Sequence, residues 1–229
     1  MHSDKPHVNE EHGTGGNVIV LNGPSVAGKT SIQKKLQELF EEPYMAMGID
    51  SILVGMLPPR YFMGAPPDGE QVLYGVPSTD ESGSPLFTLR FGPKGQRVIA
   101  GMHHAIAAFA EQGNNVIVDY ILYEREWLPD FANALRSVNA YFVGVRIPLE
   151  ALEERERQRA TSPRGHARSH YATVHAHGLY DVEVDTSRAS PEECAARIHE
   201  YVRTHPEPTA FAQLRERFQA GQASPAGRS

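Results

Sequence analysis

The stretch VIVLNGPSVAGKTSIQKKL, residues 18–36, leaves room for very few folds. A run of branched apolar residues passes through a turn bounded by Gly23 and Gly28 and then into a charged stretch with helical spacing, so a strand must hand over to a helix within a few residues. The turn reads Gly23, Pro24, Ser25, Val26, Ala27, Gly28, Lys29, Thr30, Ser31. Two glycines five apart followed by lysine and a hydroxyl residue arise from ordinary residue frequencies in only about 1% of chains this long. Such a loop points its backbone N–H groups inward at a polyphosphate, with the lysine charge over the β and γ phosphates, the threonine hydroxyl on a magnesium ion, and the helix N-terminus adding its dipole. Residues 23–31 are therefore the candidate nucleotide contacts, with ATP and Mg²⁺ the expected ligands. The competing reading is a strand-to-helix turn that merely has this composition.

Downstream, short apolar runs alternate with helical patterns: Val18 to Leu21, Met45 to Ile49, Val116 to Val118, Tyr141 to Val145 and a weak last strand at Val182 to Val184. This predicts an α/β fold with a parallel sheet and helices on both faces. Ile32, Leu36, Leu39 and Phe40 share one helical face; Val98, Met102, Ile106 and Phe109 share another in a helix that Gly113 can end. Ser190, Pro191 and Glu193 have the order of a capping box, which places Cys194 in a helix as a core residue. A chain of 229 residues suffices for one such domain, expected over 17–205, with residues 1–16 as a disordered leader and 206–229 as a C-terminal extension ending in a tail. Residues 58–97 break the rhythm. They are dense in proline and glycine yet carry Tyr61, Phe62, Tyr74, Phe87 and Phe91, and EQVLYG and PLFTLRF can pair as a hairpin across a serine-rich turn. The hairpin either decorates the domain or walls a substrate pocket.

The charged residues decide what becomes of the phosphate. Asp50 closes one strand at the carboxyl edge of the sheet, where open α/β folds bind ligands, and can accept the proton of an attacking hydroxyl. The alternative is a helix cap. Asp119 closes NVIVD in the same way and suits the magnesium shell, unless it is an ordinary strand-end aspartate. Arg155 and Arg159 lie four apart in a helical stretch, followed by Arg164 and Arg168, and residues 149–178 read as a helical lid whose arginines close over phosphates, or else as a solvated face paired with Glu153 and Glu154. His166, His170, His175 and His177 sit nearby with no zinc-like spacing.

With 22 basic and 28 acidic residues, the net charge of -6 favours small-molecule chemistry over nucleic acid or an anionic membrane surface. A single cysteine rules out an intrachain disulfide framework, no run reaches the roughly 18 apolar residues of a membrane span, and the polar N-terminus lacks a signal core, so a cytoplasmic location is expected. Self-association stays open.

Five separated stretches, IVLNGPSVAGKTSI, GIDSIL, VIVDYIL, YFVGVR and YDVEVDTS, together make the chain resemble the chloramphenicol phosphotransferase family, a branch of P-loop kinases that phosphorylate the antibiotic's primary hydroxyl. The resemblance implies Asp50 as catalytic base, Lys29 and Thr30 as phosphate and magnesium residues, and Arg155 and Arg159 as lid arginines. Tyr120 stands after Asp119 where the family has a second acidic residue, and the 58–97 insertion is longer. The reaction expected is ATP-dependent phosphorylation of a small-molecule hydroxyl, with chloramphenicol the specific acceptor. Other acceptors of the same chemistry, including a nucleotide sugar, and a non-catalytic ATP-binding module are the alternatives.

Overall fold

The computed structural model describes residues 15–61, 68–159 and 162–223. The expectations for residues 1–14, for Phe62 and for residues 224–229 lie outside these. Strands β1 (Asn17–Asn22), β2 (Tyr44–Gly48), β5 (Asn115–Tyr120), β6 (Asn139–Arg146) and β7 (Val182–Asp185) form a parallel sheet in the order β2-β5-β1-β6-β7. The central β1 carries branched side chains on both faces, and Val18, Ile19, Val20 and Leu21 are all fully buried. Each strand end expected from the sequence lies within two residues of its place, except that Ile49 begins a helix.

On one face pack α1 (Lys29–Leu39), α6 (Leu149–Gln158) and α8 (Pro191–Thr204), burying Ile32, Leu36, Leu152, Cys194 and Ile198. The Ser190 capping box forms with Pro191 at the first turn. On the other face lie α2 (Ile49–Met56), α4 (Pro93–Glu111), α5 (Trp127–Ala134) and α9 (Ala210–Ala223). Two expected faces need correction. Leu39 is 43% exposed and Phe109 39%. The apolar stripe of α4 runs instead through Ile99, Met102, Ile106 and Ala110, where the helix packs on α5 and the sheet. The C-terminal stretch is corrected too: α9 continues to Ala223 and sinks Phe211 and Leu214 into the core, so the part expected as an appended extension is built into the domain.

Within 58–97, α3 (Asp68–Val72) leads into β3 (Leu73–Thr79), which pairs antiparallel with β4 (Pro85–Phe91). The turn between them is held by Asp80, whose Oδ1 accepts the N–H groups of Ser82 and Ser84 at 2.9 Å. The strand therefore starts at Leu73, three residues later than EQVLYG suggests. A short helix α7 (His166–Tyr171) follows α6 and rests on β4: the Phe87 N–H donates to Gly165 O at 3.2 Å, and Gly165, at φ +80°, has no room for a Cβ, which would lie 2.0 Å from Pro85 O. Among the described residues no helix is long and apolar enough to cross a membrane.

Candidate active site

Parallel strands end together, so β1, β2 and β5 deliver their last residues to one edge. At the end of β1 the backbone curls into a tight loop: Gly28 takes φ 95° and Val26 φ 57°. A β-branched residue in the left-handed region carries strain of about 1–3 kcal/mol, which a chain keeps where the loop shape has a use. The N–H groups of Lys29 and Thr30 head α1, where a helix offers them no carbonyl. Lys29 is buried, with Nζ donating to Pro24 O at 2.9 Å and 3.5 Å from Asp119 Oδ1. The Thr30 hydroxyl donates to Asp119 Oδ2 at 2.6 Å. Strand order alone brings these groups together, since β5 lies beside β1 and sets Asp119, its second-last residue, opposite Leu21.

Asp50 follows β2 directly. Its helix starts at Ile49 behind Gly48 and shows no side-chain cap, so the capping alternative for Asp50 falls. Gly48 pairs in register with Asp119, and a Cβ there would sit 2.5 Å from the Asp119 carbonyl oxygen, so only glycine lets the two strand ends approach this closely. The Asp50 side chain is exposed and opens into a cleft whose lining includes Ser25, Ile121 and Arg159. Partial desolvation raises its pKa above the ordinary carboxyl range, the charge of Asp119 adds to the rise, and Lys29 and Arg159 oppose it.

Three hollows border Asp50: one of about 200 Å³ between Thr30, Gln33 and the end of β2, and two that face the glycine loop and the hairpin. A polar cleft of about 510 Å³ is lined by the loop from Ser25 to Ser31 together with Asp50, Asp119, Arg155 and Arg159. A smaller hollow of about 230 Å³ is lined largely by apolar side chains, Ile49, Leu53, Leu73, Phe87, Leu89, Phe91 and Ile121, with Tyr123, Arg159, Ser162 and His166 as polar points. The hairpin is thus a wall of this hollow and not a decoration.

The arginines divide in a way the sequence did not indicate. α6 stops at Gln158, so Arg159 lies beyond it in extended backbone and not on a shared helical face with Arg155. Arg155 donates to Thr186 O at 2.6 Å and Thr186 Oγ1 at 3.0 Å, with Ala27 O at 3.5 Å, so its guanidinium braces the outer side of the glycine loop. Arg168 belongs to α7 and pairs with Asp80 and Glu153, and Arg164 lines a different hollow, beside Pro85 and Arg157. Neither reaches the cleft. Arg157 is the arginine that pairs with Glu154.

Several contributors were missed. Tyr123, three residues past β5, faces both Asp50 and Asp119; burial chiefly, with those two charges, raises its hydroxyl well above the ordinary range and keeps it protonated. The pattern VDYILY, continuing past the sheet edge, was the available signal. Glu156 is buried and its two oxygens accept the N–H groups of Gly165 and Ala167, each at 2.7 Å, which fixes α7 to α6. Asn22, fully buried, donates to Val174 O and Tyr180 Oη at 2.8 Å and accepts from Leu122 N–H at 3.1 Å, tying the root of the glycine loop to the segments on both sides. His175 shares a 2.5 Å bond with Tyr180, and His177 stacks on Phe142.

The sequence profile of the family described as "Chloramphenicol phosphotransferase-like protein" matches residues 16–203. Two Mycobacterium tuberculosis relatives, from strains CDC 1551 and H37Rv and each named "Putative O-phosphotransferase", are 34% identical over 203 residues, covering 89% of this chain and 89% of theirs. Among solved structures, the chain is similar to a sugar kinase from Janibacter (TM-score 0.55, 20% identity, 82% of this chain and 94% of that one) and to the M. tuberculosis APS kinase CysC in complex with AMPPNP and APS (TM-score 0.53, 15% identity, 83% and 99%). It is also similar to a Deinococcus radiodurans tunicamycin resistance protein (TM-score 0.53, 15% identity, 82% and 95%). These structural likenesses speak for the fold, and the profile and the 34% relatives speak for descent: the chain belongs to the chloramphenicol phosphotransferase-like family of P-loop phosphotransferases.

Proposed function

We propose that the protein transfers the γ-phosphate of ATP to a hydroxyl of a small, partly apolar molecule, with chloramphenicol the specific candidate. The observation that carries this reading is the position of Asp50, which borders both the polar cleft over the glycine loop and the apolar hollow under the hairpin. A donor in the first and an alcohol in the second meet at a carboxylate.

The residues present suit the donor. The left-handed Val26 and Gly28 and the free helix start offer N–H groups to phosphate oxygens, and Lys29 brings a buried positive charge. Thr30 and Asp119, already 2.6 Å apart, form the hard-oxygen pair that holds Mg²⁺ in such sites, where the ion offsets charge on the β and γ phosphates. Asp50 orients the acceptor hydroxyl and takes its proton as the oxygen bonds to phosphorus and the bond to ADP breaks. Its raised proton affinity favours that transfer over a fully solvated carboxylate, provided the group is ionised at the start. Arg159 borders both hollows and can stabilise charge on the group in transit, and the aromatic and aliphatic walls exclude water from it. We place this activity in the cytoplasm.

The test is a panel of small alcohols, chloramphenicol included, incubated with ATP and Mg²⁺ and read by mass spectrometry for gain of one phosphate. The reading expects a monophosphate from wild type and at least about a hundredfold less from Asp50→Asn, the range of a lost general base. A product from another alcohol moves the acceptor and keeps the reaction. No product from any alcohol, with ATP bound, would leave an ATP-dependent binding protein.

A further inference from the structure

Helix α7 carries two imidazoles one turn apart, and neither takes part in the reaction described above. His170, 3% exposed, accepts the Ser25 N–H at Nε2 over 3.0 Å, joining positions 145 apart in sequence. Ser25 belongs to the glycine loop and lines both hollows. His166 shares a 3.0 Å hydrogen bond between its Nε2 and the Tyr123 hydroxyl and lines the apolar hollow. The three rings also pack on one another, with centroids 5.8 Å apart for Tyr123 and His166, 4.9 Å for Tyr123 and His170, and 5.0 Å for the two histidines. Beyond Tyr123 the contacts continue to Phe91 at 5.6 Å and to the chain's single tryptophan, Trp127, at 6.3 Å, which itself meets Phe91 edge-on at 4.7 Å.

Both imidazoles are neutral at neutral pH. Burial is the leading cause: it holds His166 near a pKa of about 4, with Lys29 and Arg159 adding to the depression, and His170 well below the ordinary range. Each therefore keeps the lone pair that its bond needs.

We propose that His170 and His166 are positioning residues that couple the nucleotide loop to the acceptor wall: Ser25, the two imidazoles and Tyr123 form one connected unit, so occupancy of the phosphate site sets the position of the aromatic wall. The inference rests on the nucleotide reading above. It supplies a reason for a P-loop enzyme to place neutral histidines on a lid: the wall is ordered for an acceptor once the donor is in place. The unit responds only as far as the nucleotide favours one arrangement over another, and the Ser25 backbone is the point at which it can do so.

Trp127 lines neither hollow but touches the wall, so its emission reports transmission and not contact with a nucleotide. The experiment titrates Mg²⁺ with the non-hydrolysable analogue AMPPNP into the full chain, following heat by calorimetry and Trp127 emission in parallel. Wild type should show both signals with one midpoint. Tyr123→Phe, which keeps the ring and removes only the hydroxyl, should retain the heat and lose at least half of the emission change. His170→Phe should lose the emission change and bind about fivefold more weakly, the scale of one hydrogen bond, while His170→Gln, whose amide oxygen can accept from Ser25, restores both. Thermal midpoints measured alongside separate this from a packing role, which would lower the midpoint of Tyr123→Phe and leave its emission response intact. An undiminished emission change in Tyr123→Phe, or heat without any emission change in wild type, overturns the coupling alone. Absence of heat in wild type overturns the nucleotide reading and the coupling with it.

Discussion

Glu156 offers the sharpest test of how α7 is held to α6. Its carboxylate is 6% exposed and accepts two backbone N–H groups, those of Gly165 and Ala167, at 2.7 Å each. Both donors stand at the start of α7, where no helical carbonyl can serve them. In Glu156→Ala, two hydrogen bonds to a charged acceptor are lost, each worth about 1.5–3 kcal/mol, and water entering the vacated space recovers part of that. A net loss of about 3 kcal/mol corresponds to a melting temperature lower by about 6–12 °C in a domain of this size. Glu156→Gln keeps one accepting oxygen but turns an NH₂ towards the other N–H, so it should recover no more than about half of the loss. Scanning calorimetry reads the midpoint, and amide exchange at Gly165 and Ala167 reads α7 directly. A cooperative domain lowers its midpoint; a helix that opens separately leaves the midpoint and speeds exchange at those two amides. If Glu156→Ala moves neither, the carboxylate does not hold α7 to α6.

Lys29→Ala should leave the fold intact and slow phosphoryl transfer at least about a hundredfold, the scale of one missing transition-state contact, and near-normal turnover in a folded variant would remove the phosphate-loop assignment. Arg159→Ala should lower the turnover rate more than it weakens ATP binding, because its side chain borders both hollows, whereas Arg155→Ala should do the reverse through the loop it braces; equal effects on rate and affinity in both variants would cancel the distinction. Asp50→Asn should raise the melting temperature at pH 7 to 8. The folded-state pKa of Asp50 is raised, so its ionisation costs stability as pH climbs from the unfolded carboxyl range through the folded value; the advantage of asparagine must therefore vanish towards pH 4 and below, and a lower midpoint for asparagine at pH 7 would show a carboxylate that supports the fold.

The parts legible in the sequence were those fixed by local pattern. Apolar runs marked every strand of the main sheet, and Gly23 to Thr30 marked the loop, because a buried strand such as β1 and phosphate geometry each demand specific residues in a short span. The face of α4 was misjudged by one residue because a helix covered on two sides has a wide apolar arc, and period alone cannot choose its centre. Arg155 and Arg159 looked equivalent at a spacing of four, but a helix that ends at Gln158 sends them to different partners. Glu156 gave no signal at all, and His170 stood out only as one of four histidines whose spacing fits no metal site. Their partners are backbone N–H groups, which have no identity in a sequence, and for His170 the partner is 145 residues away.

The two carboxylates at the sheet edge show how one fold obtains different chemistry from one residue type. Asp119 and the residue preceding Asp50's helix are register partners on adjacent strands, and Gly48 without a side chain lets them close up. From there their surroundings diverge. Asp119 receives Lys29 at 3.5 Å on one oxygen and the Thr30 hydroxyl at 2.6 Å on the other. Among the described residues no hydrogen-bond donor reaches the Asp50 carboxyl, and partial desolvation, with the nearby Asp119 charge adding to it, makes that group readier to take a proton than an ordinary aspartate. The pair is therefore asymmetric before any ligand arrives, and the asymmetry follows from strand order: β5 sits between β1 and β2, so the carboxylate on β5 meets the glycine loop and the one after β2 is left facing the hairpin. Exchanging the roles would require exchanging the strands.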